Sequence, residues 1–213
     1  MWNWLVSGLY AGAAITVFDG SPAYPEVDAF WAAVARKKVT HVGTSPKYIG
    51  SCRGSVTPRE KFDLSALRVV LSTGAPLLAE DFDWIYSEVS PDVLLASISG
   101  GTDIISCFML GNPLLPVIRG EIQAAGLGMD IAAYNDRDEA VFGARGELVC
   151  RRPFPSMPIA FWDDPGDAKY RRAYFRKGDG VWYHGDYVSL TQSQGDCGGV
   201  VVFGRSDATL NPG

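Results

Sequence analysis

Apolar positions follow two rhythms along this chain. Up to about Pro116, short apolar runs alternate with stretches of helical period. The first is a buried helix predicted over about Trp2 to Tyr10, stopped at Gly12 and followed by a strand over Ala14 to Phe18 that Asp19-Gly20 closes. Val27 to Lys37 places Phe30, Trp31 and Val34 on one helix face, entered through Pro25-Glu26. Val39 to Gly43 reads as a strand, and Ser45-Pro46 opens a further short helix. A polar loop, Arg53 to Asp63, leads to a strand over Arg68 to Ser72 and a turn at Thr73-Gly74-Ala75-Pro76. Leu78 to Val89 then sets Phe82, Ile85, Tyr86 and Val89 on one face, before a strand that starts at Val93. Strand–helix alternation of this kind implies βαβ units and a mainly parallel sheet.

Beyond Asn112-Pro113 the rhythm changes. Ile118 to Ala124, Ile131 to Tyr134, Glu147 to Cys150, Val181 to His184 and Val200 to Phe203 are short strand-like runs. Turns such as Asn135-Asp136, Gly143-Ala144 and Gly195-Asp196 separate them. The expected fold class is α/β: a mainly parallel α/β subdomain over residues 1–117, then a β-rich, barrel-like subdomain over 118–204.

Composition narrows the function. With 213 residues, 47% hydrophobic and 20% charged, the chain can bury a sizeable core. A net charge of −5 argues against a nucleic-acid partner. Cys52, Cys107, Cys150 and Cys197 lie far apart without a C-x-x-C pair, which fits reduced thiols in the cytoplasm better than a zinc site or a disulfide scaffold. The apolar stretch from Trp4 to Phe18 is broken by Ser7, Gly8 and Gly12 and falls short of the roughly 18–20 residues of a membrane span. No positive charge precedes it, so no signal peptide is expected either. A chain that opens directly in core-forming sequence reads as the middle of something longer.

Candidate chemistry centres on Val93 to Asp103, where an apolar run breaks into Ser99-Gly100-Gly101-Thr102-Asp103. Two glycines admit close approach to the backbone, and a hydroxyl beside a carboxylate suits phosphate oxygens and Mg²⁺. The same residues also make an ordinary turn. Gly74-Ala75-Pro76 follows another strand of the parallel sheet, and ligands of such sheets sit at the carboxyl ends of strands. Trp182-Tyr183-His184-Gly185-Asp186 ends an apolar strand in a carboxylate: either a capped turn with a satisfied core His, or a carboxylate for ribose hydroxyls. Gly204-Arg205-Ser206-Asp207 offers a guanidinium and an Asp after the last strand, or a surface ion pair. Lys169 to Lys177 reads as a solvated basic face with Tyr170, Tyr174 and Phe175 packing beneath it, and Asp163-Asp164-Pro165 as a turn. Phosphate-loop, nucleophile-elbow and H-E-x-x-H motifs are missing. Gly126-Leu127-Gly128 lacks the third glycine of a dinucleotide fingerprint and reads as a turn.

Taken in order, these pieces resemble the adenylate-forming enzymes, the acyl-CoA synthetase and luciferase-like ligases. Thr73-Gly74-Ala75-Pro76-Leu77 resembles the family's adenine-flanking Gly-Glu-Pro turn, with Ala75 for Glu. Gly101-Thr102-Asp103 resembles its Gly-x-Thr-Glu motif, with Asp103 for Glu. Trp182 to Asp186 is similar to its Trp-x-x-Thr-Gly-Asp ribose motif, with His184 and one residue fewer, and Gly204 to Asp207 to its Gly-Arg-x-Asp hinge. Within the family, Ala96 to Ile104, Pro153 to Pro158 and Gly204 to Gly213 resemble most the branch that ligates acetoacetate to coenzyme A.

The resemblance implies part of an N-terminal domain, with residues 205–213 beginning a hinge to a C-terminal domain. The phosphate-gripping loop would lie before Met1 and the catalytic lysine after Gly213, so the chain alone is expected to be inactive. It implies ATP, Mg²⁺ and coenzyme A as partners, with no nucleic acid and no membrane. Thr102 would hold a phosphate oxygen and Asp103 the Mg²⁺. Gly74, Ala75 and Pro76 would wall the adenine, Asp186 and Arg205 would fix the ribose, and Asp207 would be the pivot. Acetate-specific relatives close the acid pocket with a Trp before the Thr-Glu pair. Ser99, Gly100 and Gly101 stand here instead, which implies a pocket open to a larger acid such as acetoacetate. The rival expectation is a non-catalytic nucleotide- or acyl-binding module.

Overall fold

The computed structural model describes residues 2–175, 180–192 and 198–207, with side chains from Val6 on. The expected turn at Gly195-Asp196, the ends of the Lys169–Lys177 and Gly204–Gly213 stretches, and Cys197 lie outside the described residues. The chain forms two compact units. One comprises the residues up to Ser99 together with Gly111–Gly120, the other Gly100–Leu110 together with the residues from Glu121 on. The chain crosses over three times, at Ser99, Leu110 and Gly120, rather than once near 117.

In the first unit, helix α1 (Trp2–Tyr10) forms where the pattern predicts it, but of its described side chains Val6, Leu9 and Tyr10 face solvent rather than a core. Ala14 to Phe18 form no strand, and among the described residues nothing pairs with their backbone. Helix α2 (Ala29–Arg36) buries Phe30, Trp31 and Val34, the expected face. Strand β1 (His41–Thr44) follows. Ser45 then caps α3 (Pro46–Cys52), its hydroxyl accepting from the Tyr48 N–H at 3.3 Å, with Pro46 at the first helical position. The polar stretch Arg53–Asp63 is not all loop. Pro58 starts a one-turn helix, α4 (Pro58–Lys61), and the Thr57 hydroxyl donates to Glu60 at 3.1 Å.

Strands β2 (Val69–Ser72) and β3 (Leu94–Ser97) complete a parallel sheet in the order β1-β2-β3, in which Val42, Val70 and Leu95 share a rung. The link between β2 and β3 is α5 (Ala79–Trp84), which continues through one π-helical turn, Ile85–Val89. That extra residue per turn still leaves Phe82, Ile85 and Val89 buried on one face. The core is aromatic at its centre: Trp31 packs against Phe30, Tyr48 and Trp84 with ring centroids 5.7 to 6.4 Å apart. The Tyr48 hydroxyl finds the Val27 carbonyl at 2.8 Å.

The second unit is built of β structure. Strands β4 (Ser99–Gly101), β5 (Ser106–Leu110) and β6 (Ala124–Ala125) form a three-stranded sheet in that order. Strands β7 (Ile131–Tyr134), β8 (Ala140–Val141), β9 (Gly146–Cys150), β10 (Trp182–Thr191) and β11 (Gly199–Arg205) form an antiparallel sheet ordered β11-β10-β9-β7-β8. Only a single bridge, Ile122 to Val200, extends the expected Ile118–Ala124 strand towards β11. The helix α6 (Ala168–Tyr174) interrupts the β pattern. Its basic side chains face outward, while Tyr170 is buried in a cluster with Phe108, Phe154 and Trp182. No helix among the described residues is long and apolar enough to cross a membrane.

Candidate functional site

The second unit contains a cavity of about 430 Å³, lined by Gly100, Gly101, Asp103, Ala173, Tyr174, Tyr183, His184, Gly185, Arg205 and Asp207. Its walls come from β4 and the turn after it, the end of α6, and the bend shared by β10 and β11.

That bend has a cause in the pairing register. Tyr183 pairs with Val149 and Tyr187 with Glu147, so three residues of β10, His184, Gly185 and Asp186, stand opposite the single residue Leu148 of β9. Such a bulge re-aims side chains that a regular ladder would hold flat. Gly185 makes it possible with φ +86°, and a Cβ there would meet Arg205 Nη2 at 2.6 Å and Asp207 Oδ2 at 2.9 Å. A second irregularity on the other edge leaves Phe203 between the rungs Tyr187–Gly204 and Val188–Val202.

Arg205 organises the charges. Its Nε and Nη2 donate to the two oxygens of Asp207 at 2.8 and 2.5 Å, a bidentate fork, and Nη1 donates to Asp186 Oδ1 at 3.3 Å. The bond to Asp207, then the Asp186 and Asp207 charges, hold the guanidinium above its ordinary pKa. Asp186 is buried.

His184 is also buried; among the described residues neither ring nitrogen has a partner at full hydrogen-bond geometry, the Gly100 backbone makes at most a weak contact with the ring, and Nε2 stands 3.8 Å from Asp186 Oδ2. Burial pulls its pKa below the ordinary imidazole value, against the opposing charges of Asp186 and Asp103. The alternative of a core histidine fits the position of the ring. The ring is in the core, T-shaped to Phe108 at 4.7 Å, with no strong hydrogen-bond partner for its nitrogens among the described residues.

Asp103 lies on the exposed turn after β4, and the Tyr174 hydroxyl donates to its Oδ2 at 2.5 Å. Burial, then the Asp103 carboxylate, push the Tyr174 phenol well above its ordinary value, so it stays a donor. With Asp103 and Asp207 against Arg205, the cavity rim carries more negative than positive charge. It suits hydroxyl groups and a cation better than a bare phosphate.

The structure thus brings Gly100, Gly101, Asp103, Arg205 and Asp207 to one cavity, with Asp186 bonded to it through Arg205. Thr102 is exposed beside it and its carbonyl accepts from Ile105. Ser99 opens β4 and is half-buried. Gly100 backs onto β5: a Cβ there would collide with the Ser106 carbonyl and come within 2.6 Å of Cys107 Cα. Gly74 (φ +100°) and Ala75 are exposed, and Pro76 half-buried, at the carboxyl end of β2 in the first unit. No group of three or more His, Cys, Asp or Glu side chains among the described residues is arranged to hold a metal by itself.

The AMP-binding enzyme family matches residues 1–157. The chain belongs to the AMP-binding enzymes. Among members of that family it is 54% identical over its whole length to acetoacetyl-coenzyme A synthetase of Rhizobium meliloti, of which it covers 32%. It is 46% identical to acetoacetyl-CoA synthetase of Gallus gallus, again over 100% of this chain and 32% of that protein. Acetoacetyl-CoA synthetase from Streptomyces lividans superposes with a TM-score of 0.88 at 45% identity, covering 99% of this chain and 33% of the other. The anthranilate CoA ligase AuaEII, solved with anthranoyl-AMP, superposes with a TM-score of 0.77 at 20% identity, covering 95% of this chain and 36% of the other, a likeness of fold alone. The chain spans about a third of the length of the curated relatives it matches.

Sequence reasoning missed Tyr174 and Tyr183 as cavity residues. Tyr174 sat in a run whose dense positive charge signalled a solvated surface. Its only other signal was the aromatic spacing Tyr170–Tyr174, which points equally to packing.

Proposed function

We propose that this chain is the central part of an ATP-dependent acid–thiol ligase that activates acetoacetate as acetoacetyl-AMP and passes the acyl group to coenzyme A. The observation that carries this reading is the Arg205–Asp207 pair at the β10 bulge, in one cavity with Asp103 and backed by the buried Asp186 that Arg205 bonds. Asp186 and Arg205 offer an acceptor and a donor to vicinal ribose hydroxyls. Asp103 contributes one exposed carboxylate, which suits Mg²⁺, a cation that takes most of its oxygens from phosphates and water. Thr102 is assigned to a phosphate oxygen and Asp207 to the pivot of a domain rotation. Gly74, Ala75 and Pro76 are assigned to the adenine on their motif alone. A carboxylate substrate is already ionised at neutral pH, so these residues need only align it and neutralise charge at phosphorus. The free thiols Cys52, Cys107 and Cys150 fit a reducing cytoplasm.

The test is acid-dependent exchange of labelled pyrophosphate into ATP by the full-length protein that carries this chain. Acetoacetate is compared with acetate and butyrate. Exchange driven chiefly by acetoacetate is the expected result. Exchange with another acid keeps the ligase and discards the substrate. ATP binding without exchange for any acid assigns the cavity to a non-catalytic nucleotide-binding module instead.

A further inference from the structure

Tyr174 ends α6, and three anchors set its place. The Asp164 carboxylate accepts from the N–H groups of Lys169 at 3.0 Å and Tyr170 at 2.8 Å, which fixes the first turn of the helix. The Tyr170 hydroxyl donates to the Pro158 carbonyl. The Tyr174 ring lies flat on Trp182, with centroids 3.6 Å apart and planes 12° from parallel. From that fixed platform the hydroxyl reaches Asp103, 71 residues away in sequence.

The acceptor is equally constrained. Asp103 sits in a turn that closes through Ile105 at φ +48°, a left-handed conformation rare for a β-branched residue. Its Oδ1 folds back over Gly101, inside the space a Cβ at that position would fill. An exposed aspartate ordinarily samples several side-chain conformers. Here a phenol on a rigid platform takes one oxygen, and a glycine leaves room for the other.

We propose that Tyr174 is a positioning residue for Asp103: it holds Oδ2 so that Oδ1 stays over Gly101, on the cavity wall, where a metal–nucleotide complex meets it. The proposal rests on the nucleotide reading of this cavity and adds a residue to it.

The test uses the full-length protein, with Mn²⁺·ATP binding measured by titration calorimetry and by the Mn²⁺ electron-spin signal. Neither readout requires turnover. Tyr174→Phe keeps the ring on Trp182 and removes only the hydroxyl. The expected result is about tenfold weaker Mn²⁺·ATP binding, the loss of one hydrogen bond to a charged group, with metal-free ATP binding unchanged. Adding Tyr174→Phe to Asp103→Asn is expected to change nothing further. Equal Mn²⁺·ATP affinity in Tyr174→Phe and wild type overturns the proposal. So does an undiminished effect in the Asp103→Asn background, which would mean that Tyr174 acts on packing alone. A wild-type protein that binds no nucleotide overturns the reading of the cavity itself, a result distinct from both.

Discussion

Asp186 and Arg205 are partners on one rung of the β10–β11 ladder, and the arginine turns back along that rung to donate to the buried carboxylate at 3.3 Å. The rung closes the bulged end of β10, so the pairing of two strands and the charge pattern of the cavity are set by one contact. Two of the family-like motifs, Trp182–Asp186 and Gly204–Asp207, are the two sides of this rung. Strand pairing is what brings them to one place.

Removing the arginine should therefore disturb fold and site together. Arg205→Ala leaves Asp186 buried without its guanidinium. We expect a loss of about 1 kcal/mol in stability by urea denaturation, small because Arg205 itself is half exposed and screened. Arg205→Lys should recover only part of it, because an ammonium cannot reproduce the fork to Asp207.

Gly185 separates strain from contact. Gly185 and Gly180 both have positive φ, but a Cβ at Gly180 meets nothing within 4 Å, whereas at Gly185 it meets Arg205 and Asp207. Gly180→Ala should cost about 1 kcal/mol of backbone strain. Gly185→Ala should cost about 2–3 kcal/mol and also weaken nucleotide binding. Equal losses in denaturant titrations would show that the Arg205–Asp207 pair moves aside freely.

Gly100 and Gly101 should respond in opposite ways. A side chain at Gly100 meets β5 backbone, which cannot rotate away, so Gly100→Ala should destabilise by about 2–4 kcal/mol. At Gly101 the obstacle is the Asp103 carboxylate, which can turn. Gly101→Ala should keep most of its stability, within about 1 kcal/mol of wild type, while losing Mn²⁺·ATP affinity. On the proposed ligase reading, a probe of acid selectivity belongs at Gly101, because bulk at Gly100 tests the fold.

Acid should loosen α6 before the rest of the second unit. The Lys169 and Tyr170 N–H bonds and the Lys169 and Arg172 charges together outweigh the effect of burial and hold the Asp164 carboxyl below its usual range. A depressed carboxylate pKa contributes stability that is present above the unfolded value, about 4, and lost as pH falls through the folded value. Trp182 fluorescence, sensitive to the stacked Tyr174, should change below about pH 4 in wild type. In Asp164→Asn this acid step should be absent, and the neutral-pH signal should already resemble the acid form.

Much of the backbone follows from local rules. Ser45-Pro46 starts α3 because a hydroxyl caps and a proline fits the first turn. Ile131 to Tyr134 is a strand at the predicted bounds because Asn135 folds the chain back, its side chain accepting from the Arg137 and Glu139 N–H groups. Where local rules failed, a partner was decisive. Ala14 to Phe18 has strand composition but no strand beside it among the described residues, and Val6, Leu9 and Tyr10 of α1 are apolar or aromatic with solvent around them. Gly100 to Asp103 reads locally as the loop after a parallel strand. It becomes β4 and its turn because β5 lies close enough to pair with it.

The candidate site divides in the same way. Asp103, Asp186, Arg205 and Asp207 were legible in the sequence because their motifs are short and contiguous, with spacing that a strand end or turn dictates. Sequence alone determined the βαβ rhythm of the first unit, the β-rich second half, and these charged residues with their order. Tertiary structure decided that α6 delivers Tyr174 to Asp103, that β10 bulges at His184–Asp186, and that Gly100 backs onto β5 while Gly101 faces Asp103. The reason is range. Capping, turn and periodicity signals act over a few residues, whereas a hydrogen bond across 71 residues exists only once the aromatic core beneath both partners has packed.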